Sequence, residues 1–204
     1  EVTQRHKDIA AALQLITEEV LFKMLKHVHA VTKCDNLIIG GGVALNSVAN
    51  GKILRNTPFK KIWIQPNATD GGNSIGVVSY IYNSILENPR NYILTTAYLG
   101  PSFSNAEIKQ YLDTNKVTYT NFADEKELVA KTAKLIHDNQ VIGWFQDRME
   151  WGPRALGARS ILSNPCNVKM QEILNQKVKH REKFRPFAPV VCEDDALTYF
   201  ECDN

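Results

Sequence analysis

"LIIGGGVALNSVANGKI", residues 37 to 53, runs three large apolar side chains straight into three glycines and then into a stretch of helical character. Leu37-Ile38-Ile39 shows no polar alternation, so it reads as a strand covered on both faces, as in parallel sheets. Val43 to Arg55 reads as a helix. Gly40, Gly41 and Gly42 therefore occupy a strand-to-helix turn, where absent side chains let backbone N–H groups approach an anion and the helix start adds a favourable dipole. The spacing is neither a GxGxxG nor a Walker pattern. Glycines also serve plain tight turns, so local reasoning leaves both uses open.

Upstream, Ile9, Leu13, Ile16, Val20, Met24 and Val28 recur at helical spacing and predict a long amphipathic helix ending before Cys34-Asp35. Downstream, Lys61 to Gln65 reads as the next strand and Gly72 to Leu86 as a buried helix. Helix, strand, helix, strand, helix predicts layered α/β packing. The pattern breaks around Asn88-Pro89-Arg90, and a domain boundary is expected near residue 96, giving domains of 1–95 and 96–204. Beyond it, Ser104 and Asp124 are placed to cap helices over Asn105 to Asp113 and Glu125 to His137. Strands are expected at Lys116 to Tyr119, Val141 to Phe145, Ser160 to Leu162 and Ala188 to Val191, with a helix over Val168 to Val178.

Composition narrows the class. A net charge of +2 over 204 residues makes no overall demand for nucleic acid or an anionic membrane, although basic residues crowd the last third. No apolar run approaches the ~20 residues a membrane span needs, and no secretory signal opens the chain. Cys34, Cys166, Cys192 and Cys202 form no CxxC pair and are read as reduced thiols. Together these readings predict a cytoplasmic protein. The chain opens on Glu1 within a helical pattern and runs to Asn204 without an obvious stop, so it is expected to be a piece of something longer.

Three further stretches carry chemistry. Asp70-Gly71-Gly72 follows a strand, where Asp70 is placed either to cap the next helix or to bind a metal. His6, His27, His29, His137 and His180 supply no HxxxH partner motif for it, and Asn67-Ala68-Thr69 is only formally a glycosylation acceptor. "GWFQDRMEWGPRALGARSIL", residues 143 to 162, combines Gly152 and Gly157 with Arg148, Arg154 and Arg159, whose planar forks suit phosphate or carboxylate, and with Glu150 as an internal partner. Trp144 and Phe145 lie on the strand and are read as core. "NQKVKHREKFRPFAP", residues 175 to 189, adds Lys177 and Arg181, four apart and so expected on one helix face, then Arg185 before a proline that forces an extended exit. Lys179 and Lys183 are read as solvated charges. Two cationic clusters on one pocket would suit a multiply charged anion, whereas a diffuse basic face would suit RNA.

"LIIGGGVALNSVANGKI", "PNATDGGNSIG", "GWFQDRMEWGPRALGARSILSNP" and "NQKVKHREKFRPFAPVV" together resemble the NodU/CmcH family of carbamoyltransferases, over nearly the whole chain. The resemblance implies an α/β fold: the end of an actin-like ATPase-fold domain in 1–95 and the start of a YrdC-like domain in 96–204. It implies that the intact enzyme uses ATP to activate carbamoyl phosphate as a carbamoyl-adenylate and transfers the carbamoyl group to a hydroxyl of a small-molecule or saccharide acceptor. By position, Gly40, Gly41, Gly42 and Asn46 match the nucleotide-side loop, and Asp70 matches a ligand of a divalent metal, iron, whose HxxxH partner this chain lacks. Arg154, Arg159 and Arg185 are the first choices for phosphate or carbamoyl contacts, followed by Lys177 and Arg181, with Ser160 as a neutral donor. The fragment alone is expected to be inactive. The rivals are a threonylcarbamoyl-type tRNA-modifying enzyme and a noncatalytic RNA-binding module.

Overall fold

The computed structural model describes residues 2–201, so Cys202 lies outside the described residues. The chain divides into two compact units, Glu1–Gly100 with Met149–Ala155, and Pro101–Arg148 with Leu156–Asn204. Secondary structure is mixed helix and sheet, as the periodicity predicts.

In the first unit, α1 (Gln4–Thr32) is the expected long helix, closed where Lys33 turns left-handed and donates its N–H to the His29 carbonyl at 2.8 Å. β1 (Asn36–Ile39) pairs in parallel with β2 (Lys61–Ile64), Leu37 opposite Ile62 and Ile39 opposite Ile64. A core of Leu25, Leu37, Ile53 and Phe59 joins α1 to this pair.

The expected helix over Val43 to Arg55 is instead three short pieces: a 3-10 turn Gly42–Leu45, then α2 (Ser47–Asn50) and α3 (Ile53–Asn56). Asn46 breaks it, because its side chain caps α2 by accepting from the Ala49 N–H at 3.1 Å and so sits outside helical geometry. A second 3-10 turn, Asp70–Gly72, leads into α4 (Asn73–Tyr80), which continues as a π turn over Ile81–Ile85.

Two burial expectations fail in this unit. The stripe Ile9, Leu13, Ile16, Val20, Met24 is the outward face of α1; the inward face carries Gln14, Glu18, Leu21, Phe22 and Leu25. No residue of α4 is buried, and Val77, Val78 and Tyr80 are exposed. Apolar composition marks surface that is suited to cover, and no described element of the unit lies over these faces.

In the second unit, Ser104 caps α5 (Asn105–Thr114) through a reciprocal bond with Glu107, and Asp124 caps α6 (Glu125–His137). β3 (Ile142–Phe145) and β4 (Arg159–Leu162) form an antiparallel pair. Trp144 is half-buried, but Phe145 is exposed, correcting its reading as core: Gly143, Phe145 and Ile161 share the open face of the pair. The strand expected at Lys116 to Tyr119 is absent, since Lys116 turns left-handed and the Val117 N–H bonds back to Leu112. Ala188 to Val191 finds no partner strand among the described residues. In place of one helix over Val168 to Val178, a short α7 (Met170–Ile173) runs into a π turn over Leu174–Val178, with Met170 and Leu174 in the unit's small core. A short α8 (Ala196–Tyr199) follows.

Candidate functional site

Both parallel strands of the first unit end in glycine-bearing loops. Ligands of α/β sheets bind outside such carboxyl ends. The Gly41 N–H donates to the Ala68 carbonyl at 2.6 Å, which ties the loop after β1 to the loop after β2. Gly41 itself needs glycine, with φ at 96°.

Asn67 is the centre of the second loop and was not singled out from sequence as a site residue. A Cβ at Gly71 would stand 2.6 Å from its Nδ2, and one at Gly72 would overlap its carbonyl oxygen. Thr69 Oγ1 donates to its Oδ1 at 3.1 Å. Packed beneath two glycines, Asn67 is a structural hub of this loop. The signal was available in "NATDGG", where the glycines follow at four and five residues.

The segment Met149–Ala155 returns to this unit and lies on the same hub. Gly152, at φ 129°, brings its backbone so close that a Cβ would sit 2.7 Å from the Pro66 carbonyl oxygen. The Trp151 N–H donates to Ala97 at 2.6 Å, and Glu150 is buried. Arg154, two residues past Gly152, is exposed and makes no ion pair among the described residues. Gly40–Gly42, the Asp70 loop and the Arg154 loop are thus gathered through Ala68, Pro66 and Asn67.

Asn46 has a different role from that of a free ligand donor. Its Oδ1 accepts from Ala49 and, at 3.3 Å, from Gln14 Nε2, while its Nδ2 donates to Gln14 Oε1 at 2.9 Å. Gln14 also donates to buried Glu18, which receives Lys52 Nζ on both oxygens at 2.8 and 2.7 Å. The Gln14 amide first and Lys52 second hold the Glu18 carboxyl below its ordinary value. This network, invisible across 32 and 34 residues of sequence, braces the glycine loop against α1.

Asp70 is exposed and does not cap: Thr69 stands at the N-cap of the 3-10 turn and Gly72 at that of α4. Among the described residues no three His, Cys, Asp or Glu side chains gather where a metal ion would sit. The residues present do not make a complete metal site.

Arg159, Ser160, Lys177, Arg181 and Arg185 belong to the second unit. Ser160 Oγ accepts from the Gly157 N–H at 3.0 Å and so closes the loop before β4. Arg159 opens β4 opposite Phe145 and is half-buried. Arg181 does not share a helix face with Lys177. The helix ends at Val178, His180 turns left-handed, and Arg181 donates from Nε to Asn175 Oδ1 at 2.7 Å while lying 5.0 Å from the centre of the Phe187 ring. Arg185 pairs with Glu182 at 2.7 Å, and Lys183 with Glu172 at 2.6 Å. Glu172 is held low chiefly by Lys183; Glu182 is held low by its own backbone N–H and then by Arg185. Lys177 is exposed and unpaired among the described residues. Lys183 and Arg185 are thus neutralised by acidic partners, while Arg181 is tied to a neutral amide.

Comparison with known proteins matches residues 1–78 to the carbamoyltransferase N-terminus and residues 133–204 to the carbamoyltransferase C-terminus. The chain belongs to the carbamoyltransferase family. It is 46% identical to the uncharacterized protein sll1178 of Synechocystis sp., covering 100% of this chain and 34% of that protein. It is 38% identical to the nodulation protein NolNO of Sinorhizobium fredii, over 98% of this chain and 29% of the relative. To the nodulation protein NolO of Bradyrhizobium diazoefficiens it is 36% identical, over 98% and 36%. The chain thus spans about a third of the length of these relatives. Both loop systems described above fall inside the matched sequence, apart from residues 79–132, which carry none of the candidate side chains. No helix among the described residues is long and apolar enough to cross a membrane.

Proposed function

We propose that this carbamoyltransferase chain is part of an O-carbamoyltransferase that takes carbamoyl phosphate and ATP, forms a carbamoyl-adenylate, and passes the carbamoyl group to a hydroxyl of a small-molecule or saccharide acceptor. On this reading the first unit is the end of an actin-like ATPase-fold domain, the second is the start of a YrdC-like domain, and the protein works in the cytoplasm. The observation that carries it is the gathering of Arg154, held exposed and unpaired by Gly152, with the open loop Gly40–Gly42 around one backbone hub.

A Cβ at Gly40, Gly41 or Gly42 would meet nothing within 4 Å, so phosphate oxygens have room to approach the backbone at Gly40 and Gly42, while the Gly41 N–H is held by Ala68. Carbamoyl phosphate loses phosphate and ATP loses pyrophosphate when the adenylate forms, and a preplaced guanidinium stabilises such anionic charge as it develops. Within the second unit, Arg159, Lys177 and Arg185 are the cationic groups available for phosphate or carbamoyl contacts, with Arg181 and Ser160 shaping the segments that carry them. Asp70 would contribute one oxygen to a divalent metal, iron, only in company with ligands from outside this chain.

The test is a calorimetric titration of the full-length enzyme with carbamoyl phosphate, with and without ATP, against inorganic phosphate. Saturable binding above phosphate that disappears in Arg154→Ala, with unfolding temperature unchanged, is the expected result. Retained affinity in Arg154→Ala would remove this arginine from the site. Metal analysis of full-length Asp70→Ala checks the second assignment, and unchanged metal content would overturn it.

A further inference from the structure

Helix α1 is apolar on two sides. Leu21, Phe22 and Leu25 face the core, while Ile9, Leu13, Ile16, Val20 and Met24 make a second stripe, centred about 150° away at 100° per residue. An amphipathic surface helix needs one apolar stripe; a helix with two is suited to lie between layers. Leu13 is 65% exposed, so the second layer is missing.

The sheet says the same. A parallel pair is normally covered on both faces. Here Ile38 is 76% exposed and Trp63 44%, on neighbouring strands in register. Total surface gives the scale. A folded monomer of 23.0 kDa exposes about 9,600 Å², and even two separate half-size units about 11,600 Å². This chain exposes 15975 Å².

We infer that the outward stripe of α1 is the seat of a further layer of carbamoyltransferase polypeptide, the part that the relatives carry outside the third matched by this chain. The occupant is chosen by three observations. The bare faces lie within residues 1–78, the region matched to the family's N-terminus. The relatives carry roughly two-thirds of their own length outside the match. The missing cover is large and apolar, as an intramolecular layer is, whereas the polar network of Glu18 and Lys52 occupies the opposite side of the helix. The inference rests on family membership and not on the proposed reaction.

The experiment reads amide hydrogen exchange along α1 in the full-length protein and in this chain alone. Expected are α1 amides slowed at least about tenfold in the full-length protein, as burial of several large side chains requires. There Leu13→Glu and Val20→Glu should each speed α1 exchange and lower Tm. Leu15→Glu, exposed but off the stripe, should change neither. Circular dichroism of each variant confirms that the helix is retained. Amides of α1 that are no slower in the full-length protein, or that do not respond to Leu13→Glu and Val20→Glu, overturn the inference. So does a dimer of this chain alone that Leu13→Glu dissociates, which would assign the stripe to a second copy.

Discussion

Replacing Asn175 with alanine should loosen the segment that carries Arg181 and Arg185. Asn175 is fully buried, and its amide makes three bonds: Nδ2 to the carbonyls of Lys183 at 3.1 Å and Arg185 at 2.8 Å, and Oδ1 from Arg181 Nε at 2.7 Å. Each neutral bond contributes about 1 kcal/mol and the charged one about 1.5 kcal/mol after allowance for the half-exposed guanidinium, so the loss is about 3.5 kcal/mol. For a unit of about one hundred residues that corresponds to a fall in Tm of about 14 °C or more. Thermal unfolding followed at Trp144 reads it, and Asn175→Leu separates bonding from volume. Leucine fills the space but donates nothing, so it should not restore the wild-type Tm. A fall below about 2 °C in Asn175→Ala, or full recovery in Asn175→Leu, would refute the bonding account.

Gly152→Ala should destabilise the first unit by about 2 kcal/mol or more, because φ of 129° and the approach to the Pro66 carbonyl both exclude a side chain; wild-type urea midpoints would show that the Arg154 loop is not seated on Pro66. Gln14→Met should flatten the acid response of the same unit. Glu18 is depressed in the fold, so its stabilisation is present above the ordinary 4.5 and is lost as pH falls through the folded value. Removing the Gln14 amide raises that folded value, so the difference in stability between neutral pH and pH below 4.5 should narrow. An unchanged difference would place the acid sensitivity elsewhere.

Elements were legible where their cause is local. Ser104 and Asp124 announce α5 and α6 because a cap is made within three residues, and Leu37-Ile38-Ile39 announces β1 because continuous apolar character suits a covered strand. The inward side of α1 was not legible, since both sides are apolar and periodicity gives spacing, not the partner. Ala188 to Val191 has strand composition, yet a strand exists only by pairing, and no described partner meets it. Arg181 left the expected helix face because Asn175, buried and bonded to three later groups, bends the chain back before residue 181. The return of Met149–Ala155 to the first unit depends on Gly152 meeting Pro66, a match of backbone to backbone that no side-chain pattern records.

The glycines can be sorted by what a Cβ would meet, and the sorting separates packing from ligand contact. Gly71, Gly72 and Gly152 are fixed by Asn67 and Pro66, and Gly41 by its positive φ. Gly40 and Gly42 have neither constraint: no atom lies within 4 Å of the added Cβ, and neither has φ in the left-handed region. A bare turn would gain from alanine at such positions, since it lowers the entropy of the unfolded chain by an amount worth about 0.4–1 kcal/mol. Gly42→Ala should accordingly leave the first unit as stable as wild type or slightly more so. If phosphate oxygens occupy the open space, the same methyl group blocks their approach to the backbone, and ATP affinity of the full-length enzyme should fall about tenfold or more. Stability gained with affinity kept would make the triple glycine a turn alone. Stability kept with affinity lost would mark Gly42 as a residue whose missing side chain the ligand, and not the fold, requires.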